Sequence, residues 1–211
     1  MTVRHHMAQP RSISFAISVV ILMTLLLSAC GGGTSHDATS DHGGSAQATG
    51  SSAAFDQQFI DMMAPHHMGA VEMAKIAQTR AEHPELKGLA NEIIASQNSE
   101  IGQMKQWRKA WYGSDETPGM DQMPALPGMD QGMMSGMTHM SADIKNLQTA
   151  SPFDKAFLTA MIPHHQSAVG AAKLEQEKGM HPELKTLAGT IITSQQKEID
   201  QMQQWLKTWY P

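Results

Sequence analysis

An internal repeat constrains the fold of this chain more than any other feature. Residues 55–112 align with residues 153–210 at a constant offset of 98, without a gap, and 32 of the 58 aligned positions are identical. A repeated unit that cannot bury its apolar face alone does so against its neighbour. The chain is therefore predicted to fold from two copies of one unit, at residues 53–112 and 152–211.

Each copy has the pattern of a helical hairpin. We predict helices over residues 55–79 and 84–112, with counterparts over 153–178 and 182–210, and proline opens the second helix of each pair. Two such hairpins predict an all-α, ferritin-like four-helix bundle. On the second helix, residues spaced by three and four positions form one face, which is typical of a buried stripe. They are Leu86, Leu89, Ile93, Gln97, Glu100, Met104, Trp107 and Trp111.

The beginning of the chain predicts export. Arg4 and Arg11 precede an apolar run over residues 13–27 that is too short to span a membrane, so residues 1–29 are predicted to be a signal peptide. Small residues precede Cys30, the order that a lipoprotein signal peptidase requires. We expect a lipid anchor at Cys30 and a place on the outer face of the cell membrane or facing the periplasm. The alternative is an ordinary membrane anchor with an incidental cysteine.

Composition limits the partners and the chemistry. Cys30 is the only cysteine, so the mature chain can form no internal disulfide and no thiolate metal site. Any metal must be held by His, Met, Asp or Glu. Cleavage before Cys30 leaves 13 Lys and Arg against 20 Asp and Glu, a formal charge of −7, which argues against nucleic acid and favours cations.

Two segments lie outside the repeat. Residues 30–52 are rich in Gly, Ser, Thr and Ala and predict a flexible tether. Residues 113–151 form a methionine-rich linker with no helix or strand pattern, except a possible short helix over 141–149 with Ser141 as its N-cap. Flexible thioethers predict a loose Cu(I) site, with a plain spacer or an oxidant sink as alternatives. Its candidate ligands are Met120, Met123, Met129, Met133, Met134, Met137, His139 and Met140.

Polar residues on faces that should be apolar mark the main candidate site. In each copy a methionine and an adjacent histidine pair share one side of the first helix, and Gln, Glu and Met face them from the second helix. Thioether and imidazole together suit Cu(I) or Ag(I), and imidazole with carboxylate also accepts Cu(II). The first set is Met63, His66, His67, Gln97, Glu100 and Met104, and the second is Met161, His164, His165, Gln195, Glu198 and Met202.

These residues have other possible roles. The methionines could be core filler, and the Gln and Glu side chains could orient the imidazoles instead of binding metal. Because neighbours on a helix are about 100° apart, at most one histidine of each pair is expected to point inward, with the other at the rim. Pro65 and Pro163 predict a bend, or a first helix made of two short ones. His83 and His181 are expected to be turn residues, and the tryptophans to pack at the bundle ends.

The run Phe59-Ile60-Asp61-Met62-Met63-Ala64-Pro65-His66-His67, then His83-Pro84-Glu85-Leu86 and Gln97, Glu100, Met104 and Trp107, resembles the bacterial family known as domain of unknown function 305. Both copies match, so the chain resembles a lipoprotein form with two tandem copies. The resemblance implies a ferritin-like, exported, copper-binding protein. Carried over residue by residue, the implied ligands are Met63, His66, His67 and Met104, with Met161, His164, His165 and Met202.

The sites need not be equivalent, because Met68 and Met73 become Gln166 and Ala171 in the second copy. Fewer thioethers there predict a weaker preference for Cu(I).

The predicted function is binding of soft metal ions outside the cytoplasm, for sequestration, tolerance or delivery, with a copper transporter or chaperone as an expected partner. One alternative is a structural or partner-binding bundle without metal. A ferritin-like oxidase is less favoured, because its di-iron site needs about four carboxylates, and Glu72 and Glu92 become Gly170 and Thr190. That leaves one repeated buried carboxylate per copy, so no enzymatic activity is expected.

Overall fold

The computed structural model describes residues 52–211, with side chains from residue 54 onward. The predicted signal peptide, the lipidation site Cys30 and almost all of the tether lie outside the described residues. A one-turn 3₁₀ helix, Met120–Gln122, precedes the third helix. The α-helices are α1 (Ser52–Arg80), α2 (Pro84–Tyr112), α3 (Gln131–Thr138), α4 (Met140–Leu147), α5 (Phe153–Lys178) and α6 (Pro182–Trp209).

The four long helices confirm the predicted all-α bundle. Helices α2 and α5 begin and end at the predicted residues, and the other two differ by three residues or fewer. Helix α1 continues through Pro65 and α5 through Pro163, so the alternative of two short helices is wrong. None of the helices in residues 52–211 is long and apolar enough to cross a membrane.

Each hairpin packs its own two helices together, and the hairpins meet mainly through α1 and α5. These two helices run antiparallel, since Asp56 near the start of α1 contacts the turn after α5 and Asp154 near the start of α5 contacts the turn after α1. The two copies of the repeat are therefore related by an approximate two-fold axis that passes between α1 and α5.

The apolar core consists of two clusters, and both draw on both hairpins. One contains Phe59 and Met63 of the first hairpin with Leu187 of the second. The other contains Phe157 and Met202 of the second hairpin with residues of the first. The histidine pairs of α1 and α5 lie midway along their helices, between the residues of the two clusters. A polar layer therefore crosses the middle of an apolar bundle.

Two fully buried aspartates join the hairpins at the bundle ends. Asp154 accepts hydrogen bonds from the backbone nitrogens of Glu82 and His83, both at 2.9 Å, and from His83 Nδ1 at 2.6 Å. Asp56 does the same for Met180 and His181. The expectation of one repeated buried carboxylate per copy is therefore wrong. Asp56 and Asp154 stand near the starts of α1 and α5, and each caps the turn of the other hairpin.

The histidines at these turns confirm the turn prediction and add a contact. Each occupies the N-cap position of its helix without a side-chain hydrogen bond to that helix. The ring of His83 stacks on Trp209 at a centroid distance of 3.8 Å, and His181 stacks on Trp111 at 3.6 Å. The tryptophans thus pack at the bundle ends, as predicted.

One end of the bundle carries an additional acid. Glu175 is fully buried and stands where the first copy has Ala77. Neither of its carboxyl oxygens has a regular hydrogen-bond partner. Burial, followed by the charge of Asp56, raises the pKa of Glu175 to about 9. The two ends are therefore chemically different.

The prediction that most of the linker lacks structure is wrong, because α3 and α4 pack on α5 and α1. The short helix predicted over residues 141–149 is present as α4, which begins one residue earlier at Met140. Ser141 is not an N-cap but donates a hydrogen bond to Asp121 at 2.6 Å, and His139 precedes α4. A side chain at Gly136 would place Cβ 2.6 Å from the carbonyl oxygen of Pro163, so only glycine allows this approach. Eight-residue helices depend on such packing.

Candidate metal centre

Four histidine rings cross the core of the bundle in a row. The centroid distances are 6.3 Å from His67 to His66, 3.8 Å from His66 to His164, and 6.1 Å from His164 to His165. The middle contact joins the two hairpins, because His66 and His164 are equivalent positions of the repeat. The two predicted sites are therefore one continuous layer, which we call the histidine layer.

The expectation that only one histidine of each pair points inward is wrong. All four rings are buried, with exposed fractions of 2% or less. Helix α1 is covered on two sides, by α2 and by α5. His67 therefore faces its own hairpin while His66 faces the other hairpin, and α5 repeats this arrangement with His165 and His164.

Each hairpin orients one imidazole with a glutamate. His67 Nε2 lies 2.7 Å from Glu100 Oε2, and His165 Nε2 lies 2.6 Å from Glu198 Oε2. A carboxylate can only accept, so Nε2 donates and the lone pair of each ring lies on Nδ1. The structure thus supports the predicted orienting role of both glutamates.

A serine that the sequence reasoning missed fixes a third ring. Ser167 Oγ donates its single hydrogen to the His164 carbonyl at 2.7 Å and lies 2.8 Å from His66 Nε2. Because its hydrogen is already used, the serine accepts from His66, which leaves the lone pair on Nδ1. The first copy has Gly69 at this position, so the difference between the copies was the available signal.

The ring nitrogens that carry the lone pairs have no hydrogen-bond partners. Nδ1 of His66, His67 and His165 and both ring nitrogens of His164 are buried without a regular hydrogen bond. Burial first, and then the nearby rings, hold the pKa of His66 and of His164 well below its usual value. Both rings are therefore neutral near pH 7, the form that binds metals.

The four predicted sulfur ligands are buried in the apolar clusters. Met63 and Met104 lie in one apolar cluster, and Met161 and Met202 lie in the other, all without exposed surface. In residues 52–211, no group of three or more His, Cys, Asp or Glu side chains is placed to hold a metal ion.

Two of the predicted site residues, Gln97 and Gln195, have side-chain amides without hydrogen-bond partners. The side-chain amides of Gln97 and Gln195 are buried, and neither their nitrogen nor their oxygen atoms have partners. Buried amides cost free energy when they are unpaired. Their positions, one turn before Glu100 and Glu198, make them available to a ligand or to a water molecule beside the layer.

The linker candidates do not form a single group. Met120, Met123, Met134 and Met137 line one pocket with Asp121. Of the others, Met133 packs against Gly170, Met140 packs against Gly69, and Met129 packs against the apolar core. His139 is exposed and makes a 2.8 Å contact with the Ser135 carbonyl.

The chain is similar to several known proteins. It is 42% identical to CopM in the Cu(I)-bound form, over 74% of this chain and 98% of that one, with a TM-score of 0.60. CopM structures with Cu(II) and Ag match at 41% identity with TM-scores of 0.59 and 0.60. A putative secreted protein from Streptomyces coelicolor is 30% identical, covering 70% of this chain and 88% of its own, with a TM-score of 0.57.

A shorter match is to the uncharacterized protein L153 of Acanthamoeba polyphaga mimivirus, 43% identical over 49 residues. That match spans 23% of this chain and 32% of the relative. The model of the family described as domain of unknown function (DUF305) matches residues 56–206, which include both hairpins and the linker. The resemblance found in the sequence is confirmed, and the chain belongs to the DUF305 family.

Proposed function

We propose that this protein binds copper ions in the histidine layer. The observation that carries the proposal is a row of four buried rings whose available nitrogens lack hydrogen-bond partners. Leaving such groups unpaired in a core costs about 1–3 kcal/mol each, and a bound ion removes that cost. The CopM proteins, which share the fold, bind Cu(I), Cu(II) and Ag.

Cu(I) is proposed as the preferred ion. Neutral imidazole and thioether are soft ligands that suit Cu(I), and Ag(I) shares these preferences. The rings of His66 and His164 are in contact across the hairpins, 3.8 Å apart and tilted by 32°, so an ion bound by a nitrogen of each ring would link the two copies. Met63, Met104, Met161 and Met202 are the proposed sulfur ligands, and Glu100 and Glu198 keep two rings oriented.

We further propose that the protein acts outside the cytoplasm as a lipoprotein that sequesters copper or delivers it to a transporter or chaperone. Cys30 and its preceding small residues support this location. The expected result is that the protein made in bacteria incorporates a labelled fatty acid and that Cys30→Ser does not. Equal labelling of both would contradict a lipid anchor at Cys30.

A binding role is proposed rather than an enzymatic one. The carboxylates that a di-iron oxidase needs are not gathered at the layer, because Asp56 and Asp154 cap turns at opposite bundle ends. Glu100 and Glu198 each hold an imidazole instead.

The test is a Cu(I) titration of the full-length protein against a competing chelator. We expect tight binding that is lost when His66, His67, His164 and His165 are all changed to Ala, and that remains in His139→Ala, a control outside the layer. A second variant with Leu at positions 63, 104, 161 and 202 keeps the apolar volume and tests the sulfur atoms separately. If the folded wild type ignores copper, the bundle is a structural or partner-binding protein instead.

A further inference from the structure

The linker lies beside the histidine layer, on the side of the bundle formed by α1 and α5. Helix α3 rests on α5, where the Cβ position of Gly136 is 2.6 Å from the Pro163 carbonyl and 3.0 Å from Ser167 Oγ. Helix α4 rests on α1, where Met140 Sδ lies 1.6 Å from the Cβ position of Gly69. The linker thus covers the face where His66 and His164 meet.

One pocket in this cover is lined by sulfur. It has a volume of about 220 Å³ and is bounded by four methionines, with Asp121, Thr138 and Ser141 completing its wall. The hydrogen bond from Ser141 to Asp121 joins the 3₁₀ helix to α4 and holds both sides of the pocket together. Several thioethers with one carboxylate suit a soft monovalent ion. The four methionines are Met120, Met123, Met134 and Met137.

The pocket continues towards the core through methionine. Met134, Met137 and Met140 follow one another at three-residue steps, and the exposed fraction is 5% at Met137 and 2% at Met140. Met140 reaches Gly69, two residues after His67. Sulfur atoms therefore extend from a surface pocket to the edge of the histidine layer.

The repeat indicates which histidine ring the sulfur of Met140 faces. Gly69 is equivalent to Ser167, whose hydroxyl contacts the ring of His66. By the approximate two-fold axis, the space at Gly69 faces the ring of His164, and Met140 fills that space. His164 is the ring with both nitrogens free of regular hydrogen bonds. The two copies thus differ beside these rings: Ser167 supplies a hydroxyl on one side, and Met140 supplies a thioether on the other.

We propose that the methionine pocket is the entry site for a soft monovalent metal ion and that Met137 and Met140 pass the ion to the histidine layer. This inference rests on the proposed copper binding in the layer. Exchange between neighbouring thioethers needs no redox step and no proton transfer, because the ion keeps its charge and the ligands are neutral. The linker is then a route to the layer as well as its cover.

The test uses Ag(I), which is soft and redox-inert, with full-length protein carrying ¹³C-methyl methionine. At substoichiometric Ag(I), we expect the methyl signals of the pocket methionines to shift before those of Met63 and Met104. A variant with Leu at positions 120, 123, 134 and 137 keeps the apolar volume. Its histidine layer should load several-fold more slowly in stopped-flow mixing, with the same final occupancy. Met180→Leu, at an exposed methionine outside the linker and the layer, is the matched control and should load like the wild type.

The outcomes separate the two proposals. The entry route is overturned if the histidine layer of the Leu variant loads at the wild-type rate, or if the methyl signals of the pocket methionines never shift. Either result leaves the proposed copper binding intact. A wild-type layer that takes up no Ag(I) and no Cu(I) overturns the proposed function itself. Met140→Leu alone divides the route further, since it should slow loading while the pocket signals still shift.

Discussion

Replacing Glu175 by Gln should stabilise the protein at neutral and alkaline pH. The carboxyl is fully buried, and its pKa is raised from the usual 4.5 to about 9, first by burial and then by the charge of Asp56. A raised pKa means that the folded state holds its proton more tightly than the unfolded chain does. This group therefore favours folding fully below about pH 4.5, and the advantage is lost as the pH rises towards 9.

The size of the effect follows from linkage. Each pH unit between the two pKa values costs about 1.4 kcal/mol, so the interval from pH 4.5 to pH 7 would cost about 3 kcal/mol. Solvent reaches the adjoining His181, whose side chain is 19% exposed, and screens the charges. We therefore expect Glu175→Gln to raise the free energy of unfolding by about 2 kcal/mol at pH 7 and by almost nothing at pH 4.

Urea unfolding followed by circular dichroism at pH 4, 5.5, 7 and 8.5 measures this difference. Glutamine retains the size and the unpaired polar character of the side chain, so the ionisation alone is tested. Glu177→Gln, at an exposed position two residues away, is the control and should leave the pH profile unchanged. Parallel profiles for wild type and Glu175→Gln would refute the reasoning, because they would mean that the buried carboxyl does not titrate differently on folding.

Three further predictions concern the layer, the turns and the linker. Glu100→Gln should weaken copper binding by about 10–100-fold in chelator competition, because the His67 ring loses its charged acceptor, whereas exposed Glu92→Gln should have no effect. Asp154→Ala should lower the free energy of unfolding by about 3–5 kcal/mol in urea, since it leaves two backbone amides and a ring without their buried partner; a loss below 1 kcal/mol would contradict this role. Gly136→Ala should detach α3 and speed proteolysis of the linker, and unchanged cleavage would show that the close approach is not required.

The bundle could be predicted because the sequence patterns that specify its helices are local, and because they occur in both copies of the repeat. Helix starts at Pro84 and Pro182 and the apolar stripe of α2 are visible in short windows of sequence. The repeat then shows that the same unit must pack against itself. Placing the methionine and histidines of α1 opposite Gln97, Glu100 and Met104 also needed only the position of the turn and the helical rise. The specific contact of His67 with Glu100 came from the structure.

The remaining features depend on contacts between distant parts of the chain. Asp154 caps a turn 71 residues earlier, and nothing near either residue indicates it. Helix α3 had no recognised pattern in the sequence, and both linker helices pack on the bundle through close approaches at Gly136 and Gly69. Both rings of a histidine pair are buried because α1 has neighbours on two sides, and a single-hairpin argument includes only one of them.

The contact between His66 and His164 lies at the boundary between the two copies, with one ring from each. A single hairpin therefore carries only half of the pair and could complete it only as a symmetric dimer. Joining two hairpins in one polypeptide makes assembly independent of concentration and frees each half to change separately. The exchange of Ser167 for Gly69 is such a change, and a dimer of identical hairpins could not have made it on one side alone.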